Sequence, residues 1–138
     1  MSKDLIFLPV LMQVLLTIKQ YILLLIAKKK AVAAEEVDLE RRGLYDDAWP
    51  VSVIKINNSI RSQYEIPVLF YIVVGILWAI NAVGPIVHTL AWIFVLSRVA
   101  HAYIHTGSNF VPHRLRFFSL GIYSVILLVI LAIYRLVS

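Results

Sequence analysis

The sequence predicts an all-α integral membrane protein, a four-helix bundle formed by a single domain over residues 1–138. Sixty-one per cent of the residues are hydrophobic, and the mean hydropathy is +0.85, well above the level of soluble proteins. A chain this short leaves much of its surface exposed, so the apolar excess must face lipid. The apolar residues form four segments, each near the ~20 residues that cross a bilayer as a helix. Backbone groups in lipid must bond locally, which favours helices over strands.

The first half of the chain contains two of the predicted helices. The first covers residues 5–27 and ends at the basic run KKK. Because it is longer than the apolar region of a signal peptide and no small-residue cleavage site ends it, we expect it to be retained. The second helix covers residues 56–80. Its first turns are polar, and nine consecutive apolar residues follow Glu65.

The second half of the chain contains the other two helices, which the breakers between them delimit. The third helix covers residues 85–104 and begins at Pro85, directly after Gly84. The fourth covers residues 116–136, after a loop that contains Pro112. All four segments are therefore predicted to cross the membrane, which makes the protein multi-pass.

The distribution of charge predicts the orientation of the helices. The net charge of +5 could indicate nucleic-acid binding, but the basic residues lie at helix ends and in one loop, so membrane topology explains them more simply. Ten of the 13 Lys and Arg residues lie in or beside the connections over residues 28–55 and 105–116. The positive-inside rule places these connections in the cytoplasm, and we expect a bacterial inner membrane. The chain has no cysteine, which excludes disulfides, thiolate metal sites and cysteine nucleophiles.

A polar stripe opens the second helix, where Asn58, Arg61 and Glu65 share one face and Ser62 lies beside them. Polar side chains at the membrane interface can extend to water, and this would explain the polar first turns of the helix without a ligand site. Glu65 lies deeper and needs a cationic partner or several donors. Arg61 is the near candidate for that partner and Arg98 the candidate on another helix. A structural ion pair and a ligand site both remain open for this segment.

A second ionisable stripe lies at the end of the third helix. Arg98, His101 and His105 follow at i, i+3 and i+7, and Arg114 and Arg116 begin the next helix. Ionisable residues in a membrane helix indicate a functional site by default. A metal would need companion carboxylates or thiolates, and these are missing from the pattern, so we expect no metal. The cations would instead focus positive potential in a cleft, which favours an anionic ligand.

Together these residues resemble the MAPEG superfamily, the membrane-associated proteins of eicosanoid and glutathione metabolism. The resemblance rests on IRSQYEIPVLFY in the second helix and on RVAHAYIHTG followed by VPHR. It implies a homotrimer of four-helix subunits that bind glutathione as co-substrate between neighbouring subunits, near the cytoplasmic face. The remaining partners are the lipid bilayer and a lipophilic small-molecule substrate, with no nucleic acid.

The resemblance also implies a role for individual residues. Glu65 would hold the amino group of glutathione, Arg98 and His101 would orient its carboxylates, and Arg61 would assist. Arg114 would be the catalytic residue, because a guanidinium near sulfur stabilises the thiolate, which is the nucleophile. The other implied glutathione-binding residues are Asn58, Ser62 and His105.

We therefore expect an enzyme, a membrane-embedded glutathione-dependent transferase or peroxidase that acts on lipophilic electrophiles or lipid hydroperoxides. Three departures motivate an alternative: many members have Arg at the position of Asn58, Asn at that of Ser62 and Tyr at that of His105. That alternative is a non-catalytic lipid-binding or partner-presenting protein of the same fold. A small transporter with Glu65 as a proton-coupled site is a third class, but the polar residues cluster towards one membrane face.

Overall fold

The computed structural model describes residues 2–138, and these residues form helices and turns without any β-strand. Two short 3₁₀ turns, Lys3–Ile6 and Asp46–Ala48, accompany the helices. The α-helices are α1 (Phe7–Ala33), α2 (Val51–Ser62), α3 (Ile66–Ala79), α4 (Pro85–Thr106) and α5 (Val111–Val137). Helices α2 and α3 follow each other within one membrane-length segment, Val51–Ala79.

The described chain contains four helical segments that are long and apolar enough to cross a membrane, with mean hydropathies from 1.3 to 2.5. Large apolar side chains are exposed along all four, for example Leu25 at 61% and Ile133 at 56%. Exposed apolar surface of this extent on helices of membrane length indicates contact with lipid. The predicted all-α membrane fold is confirmed, and the protein is an integral membrane protein.

The helix bounds differ clearly from the predicted ones at three places, one of which is the start of α5, at Val111 instead of residue 116. Helix α1 continues to Ala33, beyond the predicted end at residue 27, because the Lys and Ala residues that leave the apolar region still favour a helix. The predicted helix over residues 56–80 begins earlier, at Val51, and is divided between α2 and α3. Charge therefore marks the end of the membrane segment without marking the end of the helix.

Pro67 explains the break between α2 and α3. Proline has no N–H to donate, and its ring clashes with the carbonyl four residues earlier, which here belongs to Gln63. The chain leaves helical geometry at Glu65 (φ −97°, ψ −101°), and α3 begins at the next residue. The break leaves carbonyl groups of the last turn of α2 without their usual N–H partners.

The main apolar core joins α3, α4 and α5 in the middle of the bundle. Phe70 and Phe94 are fully buried and stack with their ring centroids 4.3 Å apart. Helices α4 and α5 approach closely at Gly121, where a Cβ atom would lie 3.1 Å from Ser97 Oγ. This close approach fixes α5 against α4 and so sets where the first turn of α5 lies.

The connections over residues 34–50 and 107–110 lie at one end of the bundle, here called the basic end. Lys55 ties α2 to the second of these connections, because its Nζ donates a hydrogen bond to the Gly107 carbonyl (3.0 Å). A smaller apolar cluster that includes Leu24, Val53 and Ile60 packs α1 against α2 near this end. The basic end is therefore an ordered assembly of α1, α2 and the loop before α5.

Replacing Gly121 by Val is expected to lower the free energy of unfolding by about 2 kcal/mol, because the added methyl groups would overlap Ser97 and Phe94. Gly75→Val is the matched control, since no atom lies within 4 Å of a Cβ built there. Equilibrium unfolding in detergent, followed by circular dichroism, measures both. Equal losses for the two variants would contradict the close packing of α4 on α5.

Candidate functional site

A cavity of about 380 Å³ opens at the basic end, between the break of the second membrane segment, α4 and the first turns of α5. Its lining residues are Asn58, Arg61, Ser62, Glu65, His101, His105, Arg114, Leu115 and Phe118. Seven of the eight residues predicted as site residues therefore lie around one cavity. Leu115 and Phe118 are an apolar wall that sequence reasoning missed.

Arg98, the eighth predicted residue, lies behind the cavity and contacts its wall. Its guanidinium is 1% exposed, and Nη2 donates to the Ser62 carbonyl (3.2 Å) and to Ser62 Oγ (2.9 Å). In a continuous helix this carbonyl would accept the N–H of Ile66. Here it accepts only a long bond from the Glu65 N–H (3.4 Å), so the break leaves it free for Arg98.

Side chains also satisfy the carbonyl of Ser59, which the break leaves free as well. Ser62 Oγ donates to it at 2.6 Å and Gln63 Nε2 at 3.4 Å. Gln63 is itself held by Gln13 of α1, whose Nε2 donates to Gln63 Oε1 at 2.7 Å. Both glutamines are buried, and a buried hydrogen bond between their side-chain amides fixes α1 against the break.

No ion pair within residues 2–138 involves Glu65. Arg61, its near candidate partner, instead pairs with Asp46 of the first connection at 3.6 Å between Nη2 and Oδ2. Arg98, the other candidate, bonds to Ser62, and its Nε has no hydrogen-bond partner in the described chain. The structural ion pair considered for Glu65 is therefore absent from these residues, and the carboxylate stays exposed at the cavity.

The two histidines stack beside each other on α4. The ring centroids of His101 and His105 are 5.6 Å apart with an interplanar angle of 14°. His101 is buried, and the ring of Phe118 on α5 lies 5.8 Å from it. Because the Nδ1 atoms of both histidines are buried without a partner in the described chain, the rings retain hydrogen-bonding capacity.

Asn109 holds Arg114 at the cavity and was not singled out from the sequence. Its Oδ1 accepts a hydrogen bond from Arg114 Nη1 at 2.7 Å, and its N–H donates to the Ile104 carbonyl at 2.7 Å. The backbone of Asn109 is left-handed (φ 53°), a conformation that Asn tolerates better than most residues. An Asn just after a helix end is a known closing signal, so this position could have been recognised.

The chain matches a protein-family model over almost its whole length, since the MAPEG family model covers residues 6–134 of 138. The chain belongs to the MAPEG family. The two sequence segments on which the resemblance rested lie inside the matched range, so the predicted membership is confirmed. No curated protein and no solved structure matches the chain. Family membership supports a membrane function related to glutathione, of the transferase or peroxidase type or a related one.

In this MAPEG protein the cavity combines several basic groups with a single carboxylate. Arg61, Arg114 and the two histidines line it together with Glu65, and Arg98 stands behind Ser62. Such a set favours a ligand that has more anionic than cationic groups, and the Glu65 carboxylate can bind one ammonium group. Arg116, which the sequence grouped with these cations, is exposed and outside the cavity.

Replacing Arg98 by Met is expected to change the free energy of unfolding of the ligand-free protein by at most about 1 kcal/mol. The lost bonds to Ser62 are destabilising, but a buried charge without a carboxylate within 4.0 Å in the described chain is also removed. Arg116→Met, on an exposed arginine, is the control in the same detergent unfolding titration. A loss of about 3 kcal/mol or more would instead assign Arg98 a mainly structural role.

Proposed function

We propose that this chain is a membrane-embedded glutathione-dependent transferase or peroxidase that acts on lipophilic electrophiles or lipid hydroperoxides. The observation that carries the proposal is the cavity in which one carboxylate, Glu65, stands among several basic side chains. Glutathione has two carboxylates, one ammonium group and one thiol. Its charges therefore complement the cavity, and the family of the chain supports the same ligand.

Each end of glutathione has a counterpart in the cavity. The Glu65 carboxylate, free of any ion pair in the described chain, would accept the ammonium group. His101 would bind one carboxylate, which the positive charge of Arg98 behind Ser62 would help to neutralise. Arg61 would bind the other, since charge-assisted hydrogen bonds to guanidinium are strong. Three further residues would complete the binding site through neutral hydrogen bonds, and these are Asn58, Ser62 and His105.

Arg114 would act on the sulfur of glutathione. Its guanidinium lines the cavity and is held in place by Asn109, so its charge lies in a fixed position. A cation near a thiol lowers the pKa of the thiol and raises the fraction of thiolate, which is the nucleophile. In transfer, the thiolate sulfur forms a C–S bond with an electrophilic carbon. Either a leaving group departs with its bonding electron pair, or the π bond of a conjugated alkene breaks and its other carbon end takes up a proton. In peroxide reduction, two glutathione molecules reduce one hydroperoxide to alcohol and water and leave as the disulfide.

The lipophilic substrate would reach the sulfur from the membrane. Leu115 and Phe118 form an apolar wall beside Arg114, and the outer faces of the helices are apolar. This arrangement supports a polar co-substrate on one side of the cavity and a lipid-soluble one on the other.

We propose in addition that three copies assemble around such sites. Asn58, Arg61 and Glu65 are exposed in the single chain, so the cavity lacks a wall that a neighbouring copy could provide. The orientation we propose puts the basic end in the cytoplasm of a bacterial cell, with the protein in the inner membrane, because glutathione is a cytoplasmic thiol and the basic residues follow the positive-inside rule.

The alternative, a non-catalytic lipid-binding or partner-presenting protein, also has a specific observation in its favour. Ser62 already accepts a hydrogen bond from Arg98, which leaves less capacity for a ligand than the Asn that many members have there. Saturable glutathione binding with turnover of any electrophile would exclude this alternative. Absence of binding at millimolar glutathione would favour it.

Arg114→Ala is expected to raise the pKa of bound glutathione thiol by about 1 to 3 units, because the nearby positive charge is lost. Ultraviolet thiolate absorbance of the purified protein with saturating glutathione, recorded across pH, measures this shift. Arg116→Ala removes the same charge outside the cavity and should leave the titration unchanged. An unaltered titration in Arg114→Ala would rule out the role proposed for Arg114.

Asp46→Asn is expected to tighten glutathione binding by up to about fivefold, because the exposed pair with Arg61 competes for that guanidinium and is worth about 0.2–1 kcal/mol. Asp47→Asn is the matched control, since Asp47 pairs with Arg41 at 2.9 Å and not with a cavity residue. Equilibrium dialysis at low and at moderate salt compares the two. If both variants gain equally, the effect comes from net charge alone and Asp46 does not compete for Arg61.

A further inference from the structure

A second cavity of about 400 Å³ lies at the basic end, where the last turns of α1 pass the start of α2. It shares no lining residue with the cavity described above. Its polar lining residues are Lys30, Glu36 and Ser52, and its apolar wall includes Leu23, Ile26 and Ala27. A volume of this size suits a small-molecule group.

The polarity of this cavity changes along the helix axis. Leu23 and Lys30 are seven residues apart on α1, which corresponds to about 10 Å of helix. The apolar wall therefore extends towards the membrane core, and the polar groups lie at the mouth. This gradient is that of a membrane lipid, which has a polar headgroup and an apolar chain.

The mouth of the cavity lies at the depth of lipid headgroups. Lys28, in the same basic run, has its Nζ 4.8 Å from the ring centroid of Trp49. Trp is enriched where a membrane helix meets water. Neither Lys30 nor Glu36 takes part in an ion pair within residues 2–138, so each is available to a ligand.

We propose that this cavity binds a bilayer phospholipid whose headgroup contains a phosphate and a primary amine. Lys30 would bind the phosphate and Glu36 the ammonium, with Ser52 as a hydrogen-bond donor to the phosphate. One acyl chain would lie along Leu23 and Ile26. Basic pockets between membrane helices bind phospholipid headgroups. The carboxylate at the mouth disfavours headgroups that have only negative charge.

Native mass spectrometry of the full-length protein released from detergent tests this assignment. The probes are phosphatidylethanolamine, phosphatidylglycerol, phosphatidylcholine and diacylglycerol with identical acyl chains. We expect phosphatidylethanolamine to be retained most and diacylglycerol, which has no phosphate, least. Equal retention of phosphatidylethanolamine and diacylglycerol would overturn the proposal.

Variants separate the cavity from general surface charge. Lys30→Ala should reduce retained phosphatidylethanolamine at least threefold, whereas Lys29→Ala, in the same basic run but outside the cavity, should reduce it little. Glu36→Gln should abolish the preference over phosphatidylglycerol. Ala27→Phe, which keeps every charge and fills the apolar part, should reduce retention of all the phospholipids.

Two further outcomes would contradict the phospholipid site. Equal losses in Lys30→Ala and Lys29→Ala would show that lipids respond only to the positive surface. A change in oligomer mass in Ala27→Phe, with lipid retention per chain unchanged, would show that the cavity is a face between copies of this chain. Thermal unfolding of each variant in the same detergent establishes that the comparison is made between folded proteins.

Discussion

The break at Pro67 is the constraint on which the rest of the site depends. Without it, the carbonyl of Ser62 would bond within its own helix and Arg98 would lose its acceptor. The break also lets Gln63 turn to Gln13 on α1 while Glu65 faces the cavity. Three membrane segments thus meet at one interruption, where side chains donate hydrogen bonds to the carbonyls of Ser59 and Ser62.

The fold was accessible to sequence reasoning because lipid imposes one requirement, an apolar helix of sufficient length, and four segments met it. The site was accessible because helical spacing alone places His101 and His105 on one face. The division of the second segment was missed, although Pro67 is a strong breaker, because Pro67 was counted within the apolar run that follows Glu65. Periodicity describes which residues share a face and does not describe where a helix stops.

The partners of the charged residues were harder to anticipate, since they depend on loop geometry. Sequence spacing predicted that Glu65 could form an ion pair with Arg61 or Arg98. In the structure, Arg61 pairs with Asp46, and Arg98 donates a hydrogen bond to a backbone carbonyl. Asn109 could be read as a turn residue, but its bond to Arg114 requires the left-handed backbone that the loop adopts. Contacts between a loop and a helix end depend on the path of the loop in three dimensions, which the spacing of residues along the sequence does not predict.

The close approach at Gly121 links the geometry of the candidate site to the thickness of the membrane. Gly121 is the contact point of α5 on α4, and Arg114 lies seven residues away, about 10 Å along the same helix. A tilt of α5 by about 5° around that contact would move the start of the helix by roughly 1 Å, and helices tilt to match bilayer thickness. Displacements of that size alter catalytic geometry. In the function we propose, lipid composition would thereby set how closely the Arg114 guanidinium approaches the sulfur of glutathione.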